Sequence, residues 1–595
     1  MAKLQERTEM DSRYMWDLST LFENDEAFEQ AFLKVDPLAE QAASFEGKLK
    51  DAKTVKAFLD VSVSLEVLLS DLFCYANIRY AEDTRQEKAQ SMRERIYAKY
   101  VQAQAALSFS DPELLALPEE TLSAVAKDPA LSEFSYQFEK LLRKKPHTLS
   151  AAEERLLAGL GEVLAAPGQI AQSLRDADMV FHPAKDGEGN RQEVTNSGFI
   201  LQQMSKDRVL RENVFRSYYG GYKHHINTYA SAYAGAVKGA VAEAAARKYA
   251  SSRELYMADE NIPASVYDNL IASVHKYMPL MYRYLALRKR ILGIPELHYY
   301  DVYTPLAEGT PASYTYEEAQ ELVLKAVAPL GEEYVNTVKG AFRDRWIDVY
   351  PNKGKRSGAF STGTYHSNPF ILTNFVGTLD SVSTIAHEMG HSMHTWYSNH
   401  HQKSWNADYT IFVAEVASTV NENLLVEQLL SECQDPVRKM ALLNEYLEGF
   451  KGTVYRQTMF AEFEKEAHAM AERGEALNAS SLSALYGRLI REYFGPDLVI
   501  DEEVTYEWAR IPHFYTPFYV YKYATSYAAA VAISEEILKE GKPAADRFLR
   551  FLSLGGSMDP LEELKCAGAD LTRPESVDRA LEKFERVLAE AEKLV

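Results

Sequence analysis

Apolar residues recur at every third or fourth position through most of the chain, the spacing that places them on one face of an α-helix. The longest such segment, 51–105, is rich in Ala, Leu, Glu, Lys and Arg and contains no proline. The same periodicity is found in 150–166, 207–251, 265–292, 316–338, 435–472, 480–493 and 574–594. The sequence therefore predicts a mostly α protein.

Two segments interrupt the helical pattern. His182–Thr195 carries the turn-forming sequence DGEGN between short polar arms, which favours a surface β-hairpin. Pro351–Phe370 is rich in Gly, Ser, Pro and Asn and is predicted to be a loop, followed by a short strand at Ile371–Phe375. A strand beside a long loop can offer an edge to which an extended peptide adds. An ordinary connector with a small sheet explains the segment equally well.

Candidate boundaries lie near 112–118, 189–198 and 308–313, where Pro, Gly or Ser interrupts the helical periodicity. We divide the chain into a helical N-terminal region (1–110), a region with the hairpin (111–198) and a large C-terminal region (199–595). None of the boundary segments is a flexible linker. We therefore expect the regions to pack together.

The composition is that of a globular protein: 595 residues, 46% hydrophobic and 25% charged. The formal net charge of −21 disfavours binding to nucleic acid or to an anionic membrane. Cys74, Cys433 and Cys566 are far apart and form no CxxC motif, so we expect neither a disulfide framework nor a cysteine-bound zinc ion. No run approaches the roughly 18 apolar residues of a membrane span, and no secretion signal is evident, which favours the cytoplasm.

The segment Thr378–His394 contains an HExxH motif, from His387 to His391. Histidines at positions i and i+4 lie on one face of a helix, where both imidazoles can hold one zinc ion. Glu388 lies about 100° further round the helix and can flank the metal without being a ligand. Gly390 costs roughly 1 kcal/mol inside a helix relative to Ala. We expect it to mark a close approach by a neighbouring helix or backbone.

A catalytic zinc site needs a third protein ligand and leaves the fourth position to water. Glu415 follows His391 by 24 residues, which is enough chain to complete one helix and begin another antiparallel to it. It stands in an apolar run, where a carboxylate is costly unless it is paired or bound to a metal; the alternative is a solvent-facing Glu. Glu422 falls on the same helix face and is either an acceptor for a ligand imidazole or part of a surface salt bridge.

A second group of candidates lies in Arg510–Tyr527, where one histidine is followed by several tyrosines: His513, Tyr515, Tyr519, Tyr521, Tyr523 and Tyr527. A metal site that hydrolyses amides needs hydrogen-bond donors for the oxyanion, and Tyr and His suit that role. Aromatic core packing is the ordinary interpretation for any single Tyr. His366 and Gly363, in the Gly-rich loop, are candidate contacts to a substrate.

These segments together resemble the oligoendopeptidase F group of the thimet-oligopeptidase-like (M3) zinc metallopeptidases, over nearly the whole chain. The matching pieces are YMWDLSTLF (14–22), SGAFSTGTYHSNPFILTNF (357–375), TIAHEMGHSMH (384–394), FVAEVASTVNE (412–422), PHFYTPFYVYKYATSY (512–527) and FLSLGGSMDPLEELKCAGADL (551–571). The resemblance implies a two-lobed helical body with a deep substrate channel and a small β-sheet near the active site. It also implies that 111–198 is an N-terminal oligopeptidase subdomain and 199–595 the catalytic domain.

The resemblance further implies one Zn²⁺ per chain and roles as metal ligands (His387, His391, Glu415), general base (Glu388) and transition-state donors (His513, Tyr523). Our other candidates are substrate contacts (Tyr519, Tyr521, His366, Gly363) and an acceptor behind the ligands (Glu422). Tyr519 and Tyr521 are close enough in register that the choice of Tyr523 for the oxyanion stays open.

The function that the resemblance implies is hydrolysis of internal bonds of short unstructured peptides by zinc-activated water. Two alternatives remain at this point: a zinc exopeptidase of carboxypeptidase or dipeptidase type on the same scaffold, and a non-catalytic peptide-binding scaffold. Short peptides are the expected partners, with no nucleic acid and no membrane. The sequence makes no prediction of oligomeric state.

Overall fold

The protein is described by a computed structural model over residues 4–307 and 313–595. Most of the candidate boundary near 308–313 lies outside these residues. The chain forms two compact units, each assembled from separate stretches. The first unit comprises Met1–Thr148, Pro311–Gln428 and Ile533–Ala569, and the second comprises Leu149–Thr310, Leu429–Ala532 and Asp570–Val595. The division into 1–110, 111–198 and 199–595 stays a prediction.

Helices make up most of both units, which confirms the predicted mostly α class; the substrate channel stays a prediction. In the first half of the chain they are α1 (Asp25–Phe32), α2 (Val35–Ala43), α3 (Ala52–Glu82), α4 (Glu87–Leu107), α5 (Ser110–Leu115), α6 (Glu119–Ala126), α7 (Ser135–Lys144), α8 (Ala151–Gly159), α9 (Gly161–Ser173), α10 (Phe199–Gln203), α11 (Arg208–His224), α12 (Ile226–Ala246), α13 (Ser252–Ala258) and α14 (Ala264–Leu292). In the second half they are α15 (Tyr316–Ala326), α16 (Glu332–Arg343), α17 (Leu379–His401), α18 (Ser404–Ala407), α19 (Ile411–Glu432), α20 (Pro436–Gly449), α21 (Arg456–Glu472), α22 (Ala479–Phe494), α23 (Tyr521–Glu540), α24 (Lys542–Leu552), α25 (Pro560–Ala567) and α26 (Glu575–Glu592).

The strands are short and form small sheets: β1 (Ala184–Lys185), β2 (Arg191–Gln192), β3 (Leu297–His298), β4 (Ile347–Asp348), β5 (Phe360–Thr362), β6 (Phe370–Leu372) and β7 (Leu498–Val499). The antiparallel pair β1–β2 confirms the predicted hairpin. In the first unit β6 is parallel to β4 on one side and antiparallel to β5 on the other. The prediction that the strand near Ile371–Phe375 offers a free edge is wrong, because β6 is hydrogen-bonded on both sides. The strand β5, inside the predicted loop, lies at the edge of this sheet.

Helix boundaries follow local capping where the chain offers it. Asp51 accepts a hydrogen bond from the backbone N–H of Thr54 and begins α3. The predicted segment 51–105 is two helices, because the chain turns at 83–86 to meet the Gly-rich loop. There the N–H of Thr84 donates to the carbonyl of Gly354 at 2.8 Å. A Cβ on Gly354 would lie only 2.0 Å from Oδ1 of Asp83, so this contact requires glycine.

An aromatic side chain near the start of the chain packs against the sheet of the first unit. Trp16 is buried with Ile78, Phe370 and Leu372, and its indole N–H donates to Glu82 at 2.7 Å. The thiol of Cys74 is buried in the same cluster, and all three cysteines are free, as predicted. Among the residues that the structure describes, no helix combines the length and the apolarity needed to cross a membrane.

The carboxylate of Glu507, in the second unit, has no exposed surface. It accepts hydrogen bonds from five side chains: Tyr219, Tyr299, Tyr486, Arg456 and Arg510. Burial alone would raise the pKa of Glu507, but the charges of the two arginines and the tyrosine hydrogen bonds lower it to about 2. The carboxylate is therefore ionised and fully paired.

We expect Glu507→Gln to destabilise the second unit by about 3–5 kcal/mol, because it leaves two buried guanidinium groups without their counter-charge. The pKa of Glu507 is lower in the folded chain than the roughly 4.3 of a free Glu. Its stabilisation is thus present above the unfolded value and is lost as the pH falls towards about 2. Urea unfolding followed by circular dichroism checks both effects: a lower midpoint at pH 7, and a difference from wild type that shrinks below pH 4.

The control is Glu502→Gln. Glu502 pairs with Lys223 at the surface, with 64% of its side chain exposed. Its replacement should change stability by no more than about 0.5 kcal/mol. Equal midpoints for the two variants would contradict the importance of the Glu507 network.

Candidate metal centre

The HExxH motif lies in the middle of α17, as predicted, and the third candidate ligand lies near the start of α19. Thr378 caps α17 by accepting a hydrogen bond from the N–H of Ser381 at 3.2 Å. The two histidines and Glu415 all belong to the first unit. The local sequence thus fixes one ligand pair on a single helix, and the packing of two helices must supply the third group.

The two imidazoles and the carboxylate converge on one point. Nε2 of His387 lies 3.5 Å from Oε2 of Glu415, and Nε2 of His391 lies 3.6 Å from the same oxygen. One ligand atom from each of the three residues falls within 4.8 Å of the others. In a tetrahedral site with bonds of about 2.0–2.1 Å, ligand atoms are about 3.4 Å apart. The donor set and its spacing therefore fit a divalent metal ion.

The helices α17 and α19 come into backbone contact at Gly390. A Cβ at that position would lie 2.5 Å from Cα of Ser418 and 2.6 Å from the carbonyl oxygen of Ala417. The expectation that Gly390 marks a close approach is confirmed. A second link lies beside it, where the side-chain amide of Asn421 donates to the carbonyl of Ala386 at 3.1 Å.

Further carboxylate and hydroxyl groups surround the three candidate ligands. Oε1 of Glu422 lies 3.2 Å from Nδ1 of His387, on the ring edge opposite to the one that faces Glu415. A hydrogen bond of this kind fixes the tautomer and orientation of a ligand imidazole. The hydroxyl of Ser418 donates to Oε2 of Glu415 at 3.3 Å.

The electrostatics of the site favour a cation. Burial alone would lower the pKa of His387, but its hydrogen bond to Glu422 and the surrounding carboxylate charges raise it to about 9. The hydrogen bond with His391 lowers the pKa of Glu415 to about 2, against the effect of burial. The carboxyl groups of Glu422, Glu388 and Glu415 thus all lie close enough to His387 to stabilise a positive charge there.

Glu388 lies next to the ligand pair and only 7% of its surface is exposed. Burial raises the pKa of its carboxyl group, while the charges of His387 and His391 act in the opposite direction. A carboxyl group whose pKa is moved towards neutrality is suited to exchanging protons.

His394, three residues after the motif, is part of the aromatic packing of the first unit. Its ring stacks on Tyr409 with centroids 3.6 Å apart and an interplanar angle of 3°, and the ring of Phe551 lies 5.2 Å away. Complete burial lowers the pKa of His394 to about 3, so the ring is neutral. His394 therefore lies outside the group formed by His387, His391 and Glu415.

The remaining candidates of the first unit lie around the end of β5. Gly363 borders a cavity of about 430 Å³ and has no room for a side chain without movement, since a Cβ would lie 3.2 Å from Cα of Pro369. His366 is exposed, with Nδ1 at 3.8 Å from Oδ2 of Asp71. Their roles in substrate contact stay predictions.

The aromatic candidates all belong to the second unit. His513 is exposed in a short 3₁₀ turn, and the hydroxyl oxygen of Tyr523 lies 3.4 Å from its Nε2. The ring of Tyr519 is nearly parallel to that of His513, with centroids 6.1 Å apart. Desolvation and then the charge of Arg456 lower the pKa of His513, so the neutral ring offers one N–H.

Tyr521 requires a correction. Its side chain is completely buried and packs on the ring of Tyr267 at 4.9 Å. It therefore offers no surface to a peptide and is removed from the candidate substrate contacts. Tyr521 is the first residue of α23 and lies two residues from both Tyr519 and Tyr523. Its side chain points into the core of the second unit.

Sequence reasoning missed the polar groups that join the elements of the site. Ser418 and Asn421 are two of several polar positions in a helix segment whose first turns are mostly apolar, and that pattern is a usable signal. The contact between Ser361 on β5 and Ser392 on α17, 2.8 Å between hydroxyl oxygens, has no sequence signal. It ties the edge strand to the helix that carries the histidines, which confirms the predicted small sheet near the site.

Comparison with known proteins agrees with this geometry. Residues 201–583 match the family described as Peptidase family M3, and residues 113–181 match the one described as Oligopeptidase F. Oligopeptidase PepF of Bacillus subtilis is 42% identical over 100% of this chain and 89% of its own length. Group B oligopeptidase PepB of Streptococcus agalactiae is 39% identical over 99% and 98%. The crystal structure of oligoendopeptidase-F from Enterococcus faecium is 33% identical, covers 96% of this chain and 99% of its own, and superposes with a TM-score of 0.74.

We expect Gly390→Ala to force α17 and α19 apart and so to separate the histidines from Glu415. The variant should melt at a lower temperature and retain less metal after dialysis, because the added methyl group meets backbone rather than a movable side chain. Differential scanning fluorimetry and elemental analysis measure the two effects.

Gly220→Ala is the matched control for this substitution. Gly220 lies inside α11, and a methyl group added there would meet no atom within 4 Å beyond its own helix. The change should be neutral or stabilising by about 0.5–1 kcal/mol. A Gly390→Ala protein with wild-type melting temperature and metal content would show that the helix contact is not needed.

Proposed function

Because the chain belongs to peptidase family M3, whose members are metallopeptidases, we propose that it is a zinc-dependent oligoendopeptidase that hydrolyses internal bonds of short, unstructured peptides. The chain is a metallopeptidase of the oligopeptidase F type acting on oligopeptides. The choice of zinc, the internal position of the cut and the roles of individual residues are our proposals.

The observation that carries the proposal is the convergence of His387, His391 and Glu415 beside the buried carboxyl of Glu388. Two nitrogens and one oxygen form a donor set that zinc accepts readily, and three protein ligands leave a position for water or substrate. Hard cations such as Mg²⁺ prefer oxygen ligands throughout. This supports zinc over Mg²⁺ or Ca²⁺.

Each residue of the group has a distinct task in the proposed mechanism. His387, His391 and Glu415 would hold the ion, and the hydrogen bond between Glu422 and Nδ1 of His387 keeps Nε2 of that ring directed at it. The chemistry that zinc supplies when bound is Lewis acidity towards a carbonyl oxygen and towards water.

Proton transfer is assigned to Glu388. Its carboxylate removes a proton from the attacking water and returns it to the departing amine nitrogen, so that one group acts first as base and then as acid. The raised pKa that burial gives Glu388 supports this double role. A group with the ordinary acidity of Glu would hold the proton less readily in the second step.

The oxyanion is assigned to His513 and Tyr523. Both side chains can donate a hydrogen bond. The Tyr523 hydroxyl oxygen and Nε2 of His513 lie 3.4 Å apart, close enough for both groups to donate to the same oxyanion. Tyr519, half-buried beside them, is kept as a substrate contact together with Gly363 and His366. The net charge of −21 supports peptides over nucleic acid as ligands, and a cytoplasmic location stays a prediction.

A peptide blocked at both ends and carrying an internal fluorescence quencher tests the position of cleavage. An endopeptidase releases fluorescence from it, because it needs no free terminus, and mass spectrometry of the products should show cuts within the sequence. A carboxypeptidase or dipeptidase leaves the blocked peptide intact while it cleaves the unblocked version. A pure protein that cleaves neither and contains well below one metal ion per chain would favour a binding scaffold instead.

We expect Glu388→Gln to keep its metal and its fold but to lose about 10²–10⁴-fold in kcat, since proton transfer is removed and the ligands stay in place. Quenched-peptide kinetics and elemental analysis on the same preparation provide the measurement. Asp380→Asn, an exposed change on the first turn of the same helix, is the control and should leave both values unchanged.

Glu415→Ala gives the opposite signature: metal lost to a mild chelator, and activity restored only by excess metal. Near-normal turnover in Glu388→Gln would remove this residue from the mechanism. Unchanged metal retention in Glu415→Ala would remove the third ligand.

A further inference from the structure

The turn that precedes Tyr519 contains an unusual backbone conformation. Phe518 has φ of +55°, in the left-handed region that bulky side chains rarely adopt. After a proline such as Pro517, a positive φ in a turn is normally given to glycine. The described residues other than glycine with positive φ are Lys248, Asn261, Arg345 and Phe518, so this is the aromatic one among them. Such a conformation costs about 1–3 kcal/mol and persists only where its surroundings enforce it.

One side chain enforces this conformation through the backbone. The N–H of Phe518 donates to Oε1 of Glu464 on α21 at 2.7 Å, and both residues are buried, with 2% and 0% of their surface exposed. Within 4–307 and 313–595, the other carboxyl oxygen of Glu464 accepts no hydrogen bond and no cation pairs with it. A carboxyl group is expensive to bury for a single partner. The hydrogen bond to Phe518 is therefore the interaction that accounts for the Glu464 carboxyl at this position.

The phenyl ring of Phe518 is held by the same helix. The ring of His468, one helical turn beyond Glu464, lies 4.6 Å from it, and Tyr267 lies 5.9 Å away. Ser252 fixes His468 in turn, with 2.9 Å between Oγ and Nδ1. The turn is therefore clamped twice, at its backbone and at its side chain.

The clamped turn determines the arrangement of the rings that flank it in sequence. Tyr519 follows Phe518 directly, and its ring lies 9° from parallel to that of His513 and 83° from that of Tyr523. A rotation about φ of Phe518 would move Tyr519 and the start of α23 relative to His513. The 3.4 Å spacing between His513 and Tyr523 depends on that rotation being fixed.

We propose that Glu464 is a positioning residue, whose hydrogen bond to the Phe518 N–H holds the strained turn and thereby sets the His513–Tyr519–Tyr523 arrangement. This rests on the proposed function, in which His513 and Tyr523 act on the substrate. Burial raises the pKa of Glu464 well above its usual range, against the lowering effect of the Phe518 N–H, and so favours the uncharged carboxyl group. A glutamine, which has the same shape and a carbonyl acceptor, can therefore replace it.

The test compares Glu464→Gln, which keeps an acceptor, with Glu464→Leu, which does not. We expect Glu464→Gln to keep kcat within about 3-fold and Glu464→Leu to lose about 10²-fold in kcat with a much smaller change in KM, as for a misplaced catalytic group. Hydrogen exchange read by mass spectrometry at the Phe518 amide is the second readout. Exchange should be slow in wild type and Glu464→Gln, and fast in Glu464→Leu.

Glu462→Leu is the matched control on the same helix. Glu462 is also a buried carboxylate, bound by His275 and Tyr493 at 2.7 Å each, and does not contact the turn. The control should keep kcat and the slow exchange of the Phe518 amide, both measured at a temperature where the chain is folded.

Three outcomes overturn the proposal. They are normal kcat in Glu464→Leu, an equal loss of kcat in Glu464→Gln with the Phe518 amide still protected, and an equal loss of kcat in Glu462→Leu. Failure of the proposed function gives a different pattern: His513→Ala and Tyr523→Phe would then keep full activity, or wild type would have none. Exchange at the Phe518 amide does not depend on activity, and so it separates the two cases.

Discussion

Contact between the backbones of α17 and α19 at Gly390 is the constraint on which the candidate metal centre depends. Neither helix alone can supply three ligands in a suitable geometry, because one helix face offers only the i, i+4 pair. The third ligand must come from a neighbouring helix, and the Glu415 side chain reaches the imidazoles only if that helix packs closely. A Cβ at position 390 would lie 2.5 Å from Cα of Ser418, so a side chain there would push the helices apart and move Glu415 away from the imidazoles, the nearest of which is 3.5 Å from it. Helix packing and metal geometry are thus a single requirement.

The chemistry-bearing part of this site was predictable because it is local. Once a helix is assumed, the HExxH spacing places both histidines on one helix face. A carboxylate in an apolar run then identifies Glu415 as the third candidate. The glycine inside the motif even signalled the helix contact. Contacts between distant parts of the chain were not predictable in the same way. The strand near Ile371–Phe375 was expected at an edge, but the partner that covers its second side, β5, lies in a segment whose composition indicates only a loop.

Burial explains the other differences. Alternating aromatic residues in Arg510–Tyr527 look equivalent in sequence, yet the structure buries Tyr521 against Tyr267 and leaves Tyr519 and Tyr523 partly accessible. Buried carboxyl groups show the same dependence on distant partners. Glu507 is ionised because two arginines and three tyrosines from separate segments surround it. Burial instead favours the uncharged form of Glu464, whose hydrogen-bond partner among the described residues is one backbone N–H. Residue type alone does not distinguish these two glutamates.

The interleaved composition of the two units has a consequence for biosynthesis. The first unit includes Ile533–Ala569, so its core stays incomplete until the ribosome has translated that segment. The histidine-bearing helix emerges long before the segment that places Phe551 beside His394. Nascent chains therefore expose apolar surface for an extended period, a state prone to aggregation and suited to chaperone capture. Truncation near the C-terminus should be far more damaging than its distance from the metal ligands suggests.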